Sequence, residues 1–220
     1  MKSKPSSINE IDETIALFPL SGALLLPQTQ RPLTIFEKRY LTLLNDVLKA
    51  DRIIGLIQPL DTSQESPTSR YAELQKVGCL GYIRAFEEQD DNKYLIILEG
   101  LCRFDLIEEL PAKKPYRQAK VSYQAYASDF DPDFGAEQVN REEFLSSMRQ
   151  YAEFARFEFD WEGIKSLHTS ILINICCVLS PYGANEKQAL LEAPSINHRA
   201  QTLMALAEME IGAASGTNIQ

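Results

Sequence analysis

Two histidines, four cysteines and several adjacent carboxylates are the side chains with which this 220-residue chain would have to make or break bonds. His168 and His198 fall on separate predicted helices, and neither has an acid-plus-nucleophile pattern around it. Each therefore reads as an ordinary surface or hydrogen-bonded histidine rather than a triad member. The pairs Glu87–Glu88, Asp90–Asp91, Glu108–Glu109 and Glu142–Glu143 sit in predicted turns, at strand ends and on a helix face. There both members stay hydrated, whereas general acid/base work needs one carboxyl held proton-bearing by its surroundings. Cys79, Cys102, Cys176 and Cys177 show neither C-x-x-C spacing nor a nearby histidine pair, so no zinc site and no disulfide framework is indicated. The adjacent Cys176 and Cys177 read as small apolar residues of a buried helix. A phosphate-cradling G-x-x-x-x-G-K-[ST] loop is absent, since no glycine is followed by lysine. The nearest approach to G-x-S-x-G is Ser215, where Ala213 stands in place of the leading glycine. No catalytic residue, metal site or cofactor is expected.

Two clusters suit binding better than catalysis. Phe36-Glu37-Lys38-Arg39-Tyr40 sets three charges beside two aromatic anchors, a combination of apolar grip and charge selection. The segment PAKKPYRQAK at 111–120 is the only basic cluster, with Lys113, Lys114, Arg117 and Lys120 around Tyr116. It suits an anionic partner, an acidic peptide or RNA, and equally a solvated loop between strands.

The elements that must position these clusters change character along the chain. Ile15–Phe18 reads as a strand closed by Pro19, Ala23–Leu26 as a second apolar run stopped by Pro27, and Pro32 permits only an extended entry to the next element. From Phe36 the period becomes helical through Tyr40, Leu43, Leu44, Val47 and Leu48, ending near Ala50 before a strand at Ile53–Ile57. Asp61–Arg70 reads as an exposed loop. Val77–Phe86 and Tyr94–Glu109 form a hairpin across the polar turn 87–93, with a bulge or bend expected at Gly100. Arg117–Ala127 alternates, with Ala119, Val121, Tyr123 and Ala125 inward. Six or seven short strands with one early helix predict a curled, partly closed sheet.

A boundary falls at SDFDPDFG, near residues 129–135, and helices dominate beyond it. One helix is expected over roughly Glu137–Phe157. A second, capped by Asp160, is expected through Ile164, Leu167, Ile171 and Ile175. Asn185 with Gln188 suggests the start of a short helix, and Ser195 that of a last helix through Leu203, Leu206 and Met209. The chain is thus expected to be α+β: a β-rich part over 15–128, a helical part over 136–212, and disordered ends at 1–14 and 213–220.

Composition bounds the function. With 45% hydrophobic residues the chain can build a substantial core. The first fourteen residues do not suit a signal peptide, and the apolar run at 171–179 falls well short of the roughly 18 residues that cross a bilayer. A soluble protein of a reducing cytoplasm, with no membrane partner, is expected. The formal charge is −9, and between Asp129 and Glu162 ten acids face three arginines. Such a surface repels phosphate backbones and argues against general nucleic-acid binding.

Five blocks in order carry a family resemblance: LFPLSGALLLP at 17–27, PLTIFEKRYLTLL at 32–44, VGCLGYI at 77–83, ILEGLCRFDLIEEL at 97–110 and LSPYGANEKQALLEAPSINHRAQTLMALAE at 179–208. Together they resemble the substrate-recognition domain at the N-terminus of Lon proteases, over about nine-tenths of the chain. The resemblance implies a PUA-like pseudo-barrel followed by a helical subdomain. It also implies a role in binding polypeptide, since in full-length Lon this domain holds unfolded or tagged substrates and supports assembly of the hexamer. It hands over no catalytic residue. The Ser-Lys signature of the Lon peptidase is missing, and 220 residues leave no room for ATPase and peptidase domains, so a free-standing recognition domain is expected. On this reading the protein is a non-enzymatic adaptor or modulator in protein quality control, with unfolded or tagged polypeptides as clients and Lon or a chaperone as partner. The alternatives are a nucleic-acid-binding PUA-like module and a structural interaction partner.

Overall fold

A computed structural model describes residues 3–60, 72–158 and 160–216, and the chain divides into two compact units, Met1–Phe130 and Asp131–Gln220. The loop expected at Asp61–Arg70 lies outside the described residues.

The first unit contains β1 (Thr14–Pro19), β2 (Gln30–Ile35), α1 (Lys38–Leu48), β3 (Ile53–Ile57), β4 (Val77–Gln89), β5 (Lys93–Glu109) and β6 (Gln118–Ser122). Strand order is β2-β5-β4-β3-β1-β6, and β5 also pairs with β6. The five strands β5-β4-β3-β1-β6 therefore close into a ring, and β2 is added outside β5. Among the described strands only β1 and β3 run parallel, with Leu17 opposite Gly55; parallel neighbours need a long crossover, and here it contains β2 and α1. Pro32 lies opposite Ile97 in β2, the edge strand, where its missing N–H breaks no ladder on the far side. Leu17, Ile57, Leu80, Phe104, Ala119 and Val121 fill the barrel.

The expectation at Gly100 holds in a specific form. β5 is continuous over 17 residues, and its register against β4 slips between Arg103 and Gly100. Gly100 is also the point where the apolar run Ala23–Leu26 crosses the strand. That run is fully buried without being a strand. The Gly100 carbonyl accepts from the Gln28 N–H, and the Gly100 N–H donates to the Thr29 carbonyl, both at 2.9 Å. A Cβ at Gly100 would stand 2.0 Å from the Leu26 carbonyl oxygen.

Two expectations for this unit need correction. The N-terminal stretch, expected to be disordered, carries a short 3-10 turn at Ile8–Glu10 and buries Ile11 in the barrel core, because Ile8 and Ile11 give it an apolar face. Lys4 reaches Glu99 at 2.6 Å. The inward alternation of the last strand stops at Tyr123: Ala125 is exposed, because the chain turns into a 3-10 segment at Gln124–Phe130. Asp129 anchors that segment by pairing with the buried Arg103 at 2.8 Å.

The second unit contains α2 (Arg141–Ala155), α3 (Trp161–Lys165), α4 (Thr169–Leu179), α5 (Ala184–Glu192) and α6 (Ile196–Gly216). α6 packs on α2, α4 and α5. Arg199 of α6 is buried and ties these helices together, donating to the Leu190 carbonyl and to Asn174 Oδ1, both at 2.8 Å.

The helix expected through Ile164 to Ile175 is broken in two. Asp160 caps its start as expected, accepting from the Gly163 N–H at 3.0 Å. Ser166 Oγ then donates to the Gly163 carbonyl, α3 stops after one turn, and α4 starts afresh behind His168. The short helix has Gly183 rather than Asn185 as its N-cap, and Gln188 Nε2 donates to Glu192 at 2.8 Å. Ser195 does cap α6, but the buried face of α6 is Ala200, Leu203 and Ala207, leaving Met209 71% exposed. α6 also continues to Gly216, past residue 213 where disorder was expected.

Candidate functional site

The five residues of the α1 opening do not form one surface. Tyr40 is buried, its ring 4.3 Å from that of Phe18, with the Arg39 guanidinium 4.5 Å above it. Arg39 is paired in turn with Glu37 at 2.8 Å. Burial pushes the Tyr40 hydroxyl up to about 12. This is a clasp that seats α1 on β1. Only Phe36, 62% exposed, and the exposed Lys38 remain available to a partner.

The basic cluster is largely neutralised by acids. Lys114 and the Tyr116 hydroxyl both donate to Asp46 on α1, at 2.9 and 2.8 Å. Arg117 pairs with Glu109 and donates to the Ala72 carbonyl, and Lys120 lies 3.7 Å from Glu13. The bonds from Lys114 and Tyr116 hold the Asp46 carboxyl below the usual carboxylate range. Lys113 is exposed. The structure thus ties the basic segment to α1 through Asp46, six residues beyond the Phe36–Tyr40 cluster. Three of the four basic residues of this segment face a neighbouring acid.

The concave apolar surface that sequence reasoning missed lies in the second unit. Its local construction starts at the end of α2. Arg156 adopts a left-handed conformation (φ 57°), its N–H reaches Glu153 O, and the Phe157 N–H reaches back to Ala152 O at 2.9 Å. This is a Schellman ending, which folds the next hydrophobic residue back on the helix. Phe157 accordingly packs edge-on against Tyr151, with ring centroids 6.5 Å apart. The Asp160 cap then starts α3 so that Trp161 joins the same wall, with Arg149 stacked 5.3 Å from its ring. Leu179, Ser180 and Pro181, at the end of α4, line the same cavity, as do Met148 and Leu203.

The result is a cavity of about 200 Å³. That is small beside the roughly 300–1,000 Å³ of small-molecule sites and suits one or two bulky side chains. A shallower depression, lined by Tyr182, Glu186, Leu206, Met209 and Glu210, adjoins it through the shared Pro181. Tyr151 lies between the two: its ring is 6.1 Å from that of Tyr182 and its hydroxyl donates to Glu210 at 2.8 Å. Burial, reinforced by Glu210, raises the Tyr151 hydroxyl well above the ordinary tyrosine range. Burial likewise pushes the Cys176 thiol up to about 12, so it stays protonated and unreactive. Leu179 is 64% exposed and Phe157 44% exposed, unusual for large apolar side chains so close together.

The lining of the groove, largely methionine, aromatic and aliphatic side chains, can grip apolar side chains. Among the described residues no group of three or more His, Cys, Asp and Glu side chains could hold a metal ion, and no helix is long and apolar enough to cross a membrane. His168 faces Asp133 at 3.0 Å and His198 faces Ser195 at 2.8 Å, both exposed.

Comparison with known proteins places this architecture. The Lon protease of Syntrophus aciditrophicus is 24% identical over 213 residues, which is 95% of this chain and 27% of that protein. The chain spans about a quarter of the length of the curated Lon proteases it matches over most of its own length. Among solved structures, a Lon N-terminal domain protein from Xanthomonas campestris aligns with TM-score 0.60 at 21% identity, covering 87% of this chain and 97% of that one. The N-terminal domain of a Mycobacterium avium complex Lon protease aligns with TM-score 0.62 at 14% identity, covering 89% and 98%. At these identities the structural likeness speaks for the fold. Residues 14–208, however, match the substrate-binding domain of ATP-dependent protease La (LON), and the chain belongs to that family.

Proposed function

We propose that this protein binds non-native polypeptide without chemically altering it, as an adaptor or modulator in protein quality control. Membership of a substrate-binding domain family over residues 14–208 carries the reading. The apolar groove of the second unit, with Phe157 and Leu179 exposed beside Trp161, supplies a surface of the right chemistry. The clients are unfolded or tagged chains, and the partner is Lon or a chaperone that receives them. The setting is a reducing cytoplasm, consistent with buried or half-buried cysteines among which no disulfide is formed.

A permanently unfolded test protein, reduced and carboxymethylated, provides the assay. Saturable binding by isothermal calorimetry, with the same protein in its native, oxidised form failing to bind, is the expected result. Equal absence of binding for both forms overturns the reading. The RNA alternative is disfavoured by the pairing of Lys114, Arg117 and Lys120 with acids. A titration with single-stranded RNA in low salt should therefore show no affinity.

A further inference from the structure

We propose that the groove of the helical unit selects polypeptide segments in which a bulky apolar side chain is flanked by lysine or arginine. The inference rests on the polypeptide-binding reading and assigns it a site and a sequence preference.

The apolar part of the preference comes from shape. The deep cavity, walled by Phe157, Trp161 and Leu179, accepts one or two bulky side chains and leaves a main chain outside. The charged part comes from the lining. Three carboxylates line the two adjoining depressions: Glu158 beside the deep cavity, and Glu186 and Glu210 beside the shallow one. Among the described residues, every lining residue that carries a formal charge is one of these three. Arg149 lies close by but is stacked on the Trp161 ring and is not part of the lining. Glu210 is oriented by the Tyr151 hydroxyl, so this carboxylate is held beside the apolar wall. The sequence leading into the groove has the same sign, with nine acids against three arginines between Asp131 and Glu162. A peptide entering with its apolar side chain would place residues one to four positions away over these carboxylates. Cations there are attracted at rim-type distances, and acids are repelled.

Selection rather than mere tolerance comes from the two terms acting together. An apolar side chain alone would bind through the small cavity with little discrimination, and basic residues alone would be only weakly held by exposed carboxylates in salt. Segments carrying both features gain both contributions and are distinguished from acidic ones by repulsion.

The chain carries its own reporter, since its one tryptophan, Trp161, lines the cavity. Three peptides of equal length are titrated while Trp161 emission is followed: one with Phe-Leu flanked by lysine and arginine, one with the same core flanked by glutamate, and one with the basic flanks around Ser-Ser. The first is expected to bind at least about tenfold more tightly than either of the others, with affinity falling as ionic strength rises. The double variant Glu158→Lys plus Glu186→Lys is expected to reverse the order of the first two peptides. The exposed Leu179→Glu is expected to weaken the first peptide about tenfold or more, and the exposed position makes a folding defect avoidable, as circular dichroism will verify.

Equal affinity for the basic and acidic peptides, or no reversal in the double variant, overturns the charge preference. Binding of the unfolded test protein that survives Leu179→Glu unchanged overturns the groove while leaving the polypeptide-binding reading intact. A groove occupied by a second copy of this chain, seen as concentration-dependent sedimentation abolished by Leu179→Glu, also overturns the proposal. Only failure of the wild-type protein to bind any unfolded client brings down the broader reading.

Discussion

At the scale of single residues, exposure separates side chains that sequence spacing had grouped together. Phe36, just ahead of the α1 N-cap, and Tyr40, in its first turn, stand four residues apart, yet one is 62% exposed and the other 4%. Removing the Tyr40 ring opens a cavity against Phe18, so Tyr40→Ala should cost about 3 kcal/mol of stability in urea unfolding. Phe36→Ala should stay within about 0.5 kcal/mol. Equal costs would place the boundary of the core wrongly. The titratable groups make a second prediction. Burial pushes Tyr40, Tyr116 and Tyr126 up to about 12, with Asp46 and Asp105 reinforcing the last two. Their folded values lie above the tyrosine value of about 10 expected in the unfolded chain. Their contribution to stability is therefore complete below pH 10 and is lost as the pH rises from about 10 to 12. On the acid side, burial alone would raise Glu99, but the bonds and charges of Lys4 and Arg84 outweigh it and leave the carboxyl depressed. Its contribution is present above the ordinary carboxylate range and disappears as pH falls through the lowered value. Unfolding midpoints across the pH range should fall at both ends, and Glu99→Gln should flatten the acid limb. An unchanged acid limb in that variant would show that Glu99 does not contribute.

Among the elements, β5 and the crossover that spans it carry the sharpest test. Gly100→Ala forces a methyl to within 2.0 Å of a backbone oxygen that no rotamer change can move. The cost should be about 3 kcal/mol or more, the upper end for overpacking. Gly22→Ala has the space but a positive φ of 67°, and should cost only about 1 kcal/mol. If the two variants unfold alike, the crossing at Gly100 is not the constraint described. Much at this scale was legible in the sequence. Alternation marked β4, β5 and β6, the change of period marked α1, and glycine marked the slip in β5, because these signals are local. What was not legible depends on tertiary partners. Ser166 ends α3 by bonding a carbonyl that a continuous helix would have used. Ala125 continues a perfect alternation but leaves the sheet, since Asp129 draws the adjoining turn onto Arg103. The groove was illegible for the same reason: its walls come from separate stretches around 148–164, 176–186 and 203–210, and each alone reads as an ordinary apolar helix face.

For the whole molecule, the relevant fact is two units, each with its own hydrophobic core. Trp161 belongs to the helical unit, whereas the described strands all belong to the first. Two cores need not unfold together, and agreement between probes is the test of a single cooperative transition. In Gly100→Ala the urea midpoint of strand infrared absorption should fall further than that of Trp161 fluorescence. Shifts of equal size would mean that the units unfold as one. The charge is divided unevenly as well, with the acidic excess concentrated between Asp129 and Glu162. Copies of such an acidic chain repel one another, which disfavours self-association.

The strand β5 pairs with β2 through Ile97, with β4 through Gly100 and with β6 through Val121 opposite Leu106. Its side chains alternate between faces, so adding or deleting one residue inside 93–109 would invert burial along three seams at once. Change of length is thereby confined to places such as the Asp90–Asn92 hairpin tip and the exposed stretch 111–115, where the chain answers to no partner strand. This geometry constrains the spacing of the segment more tightly than the identity of its residues. Gaps in an alignment of the family's members should skirt it.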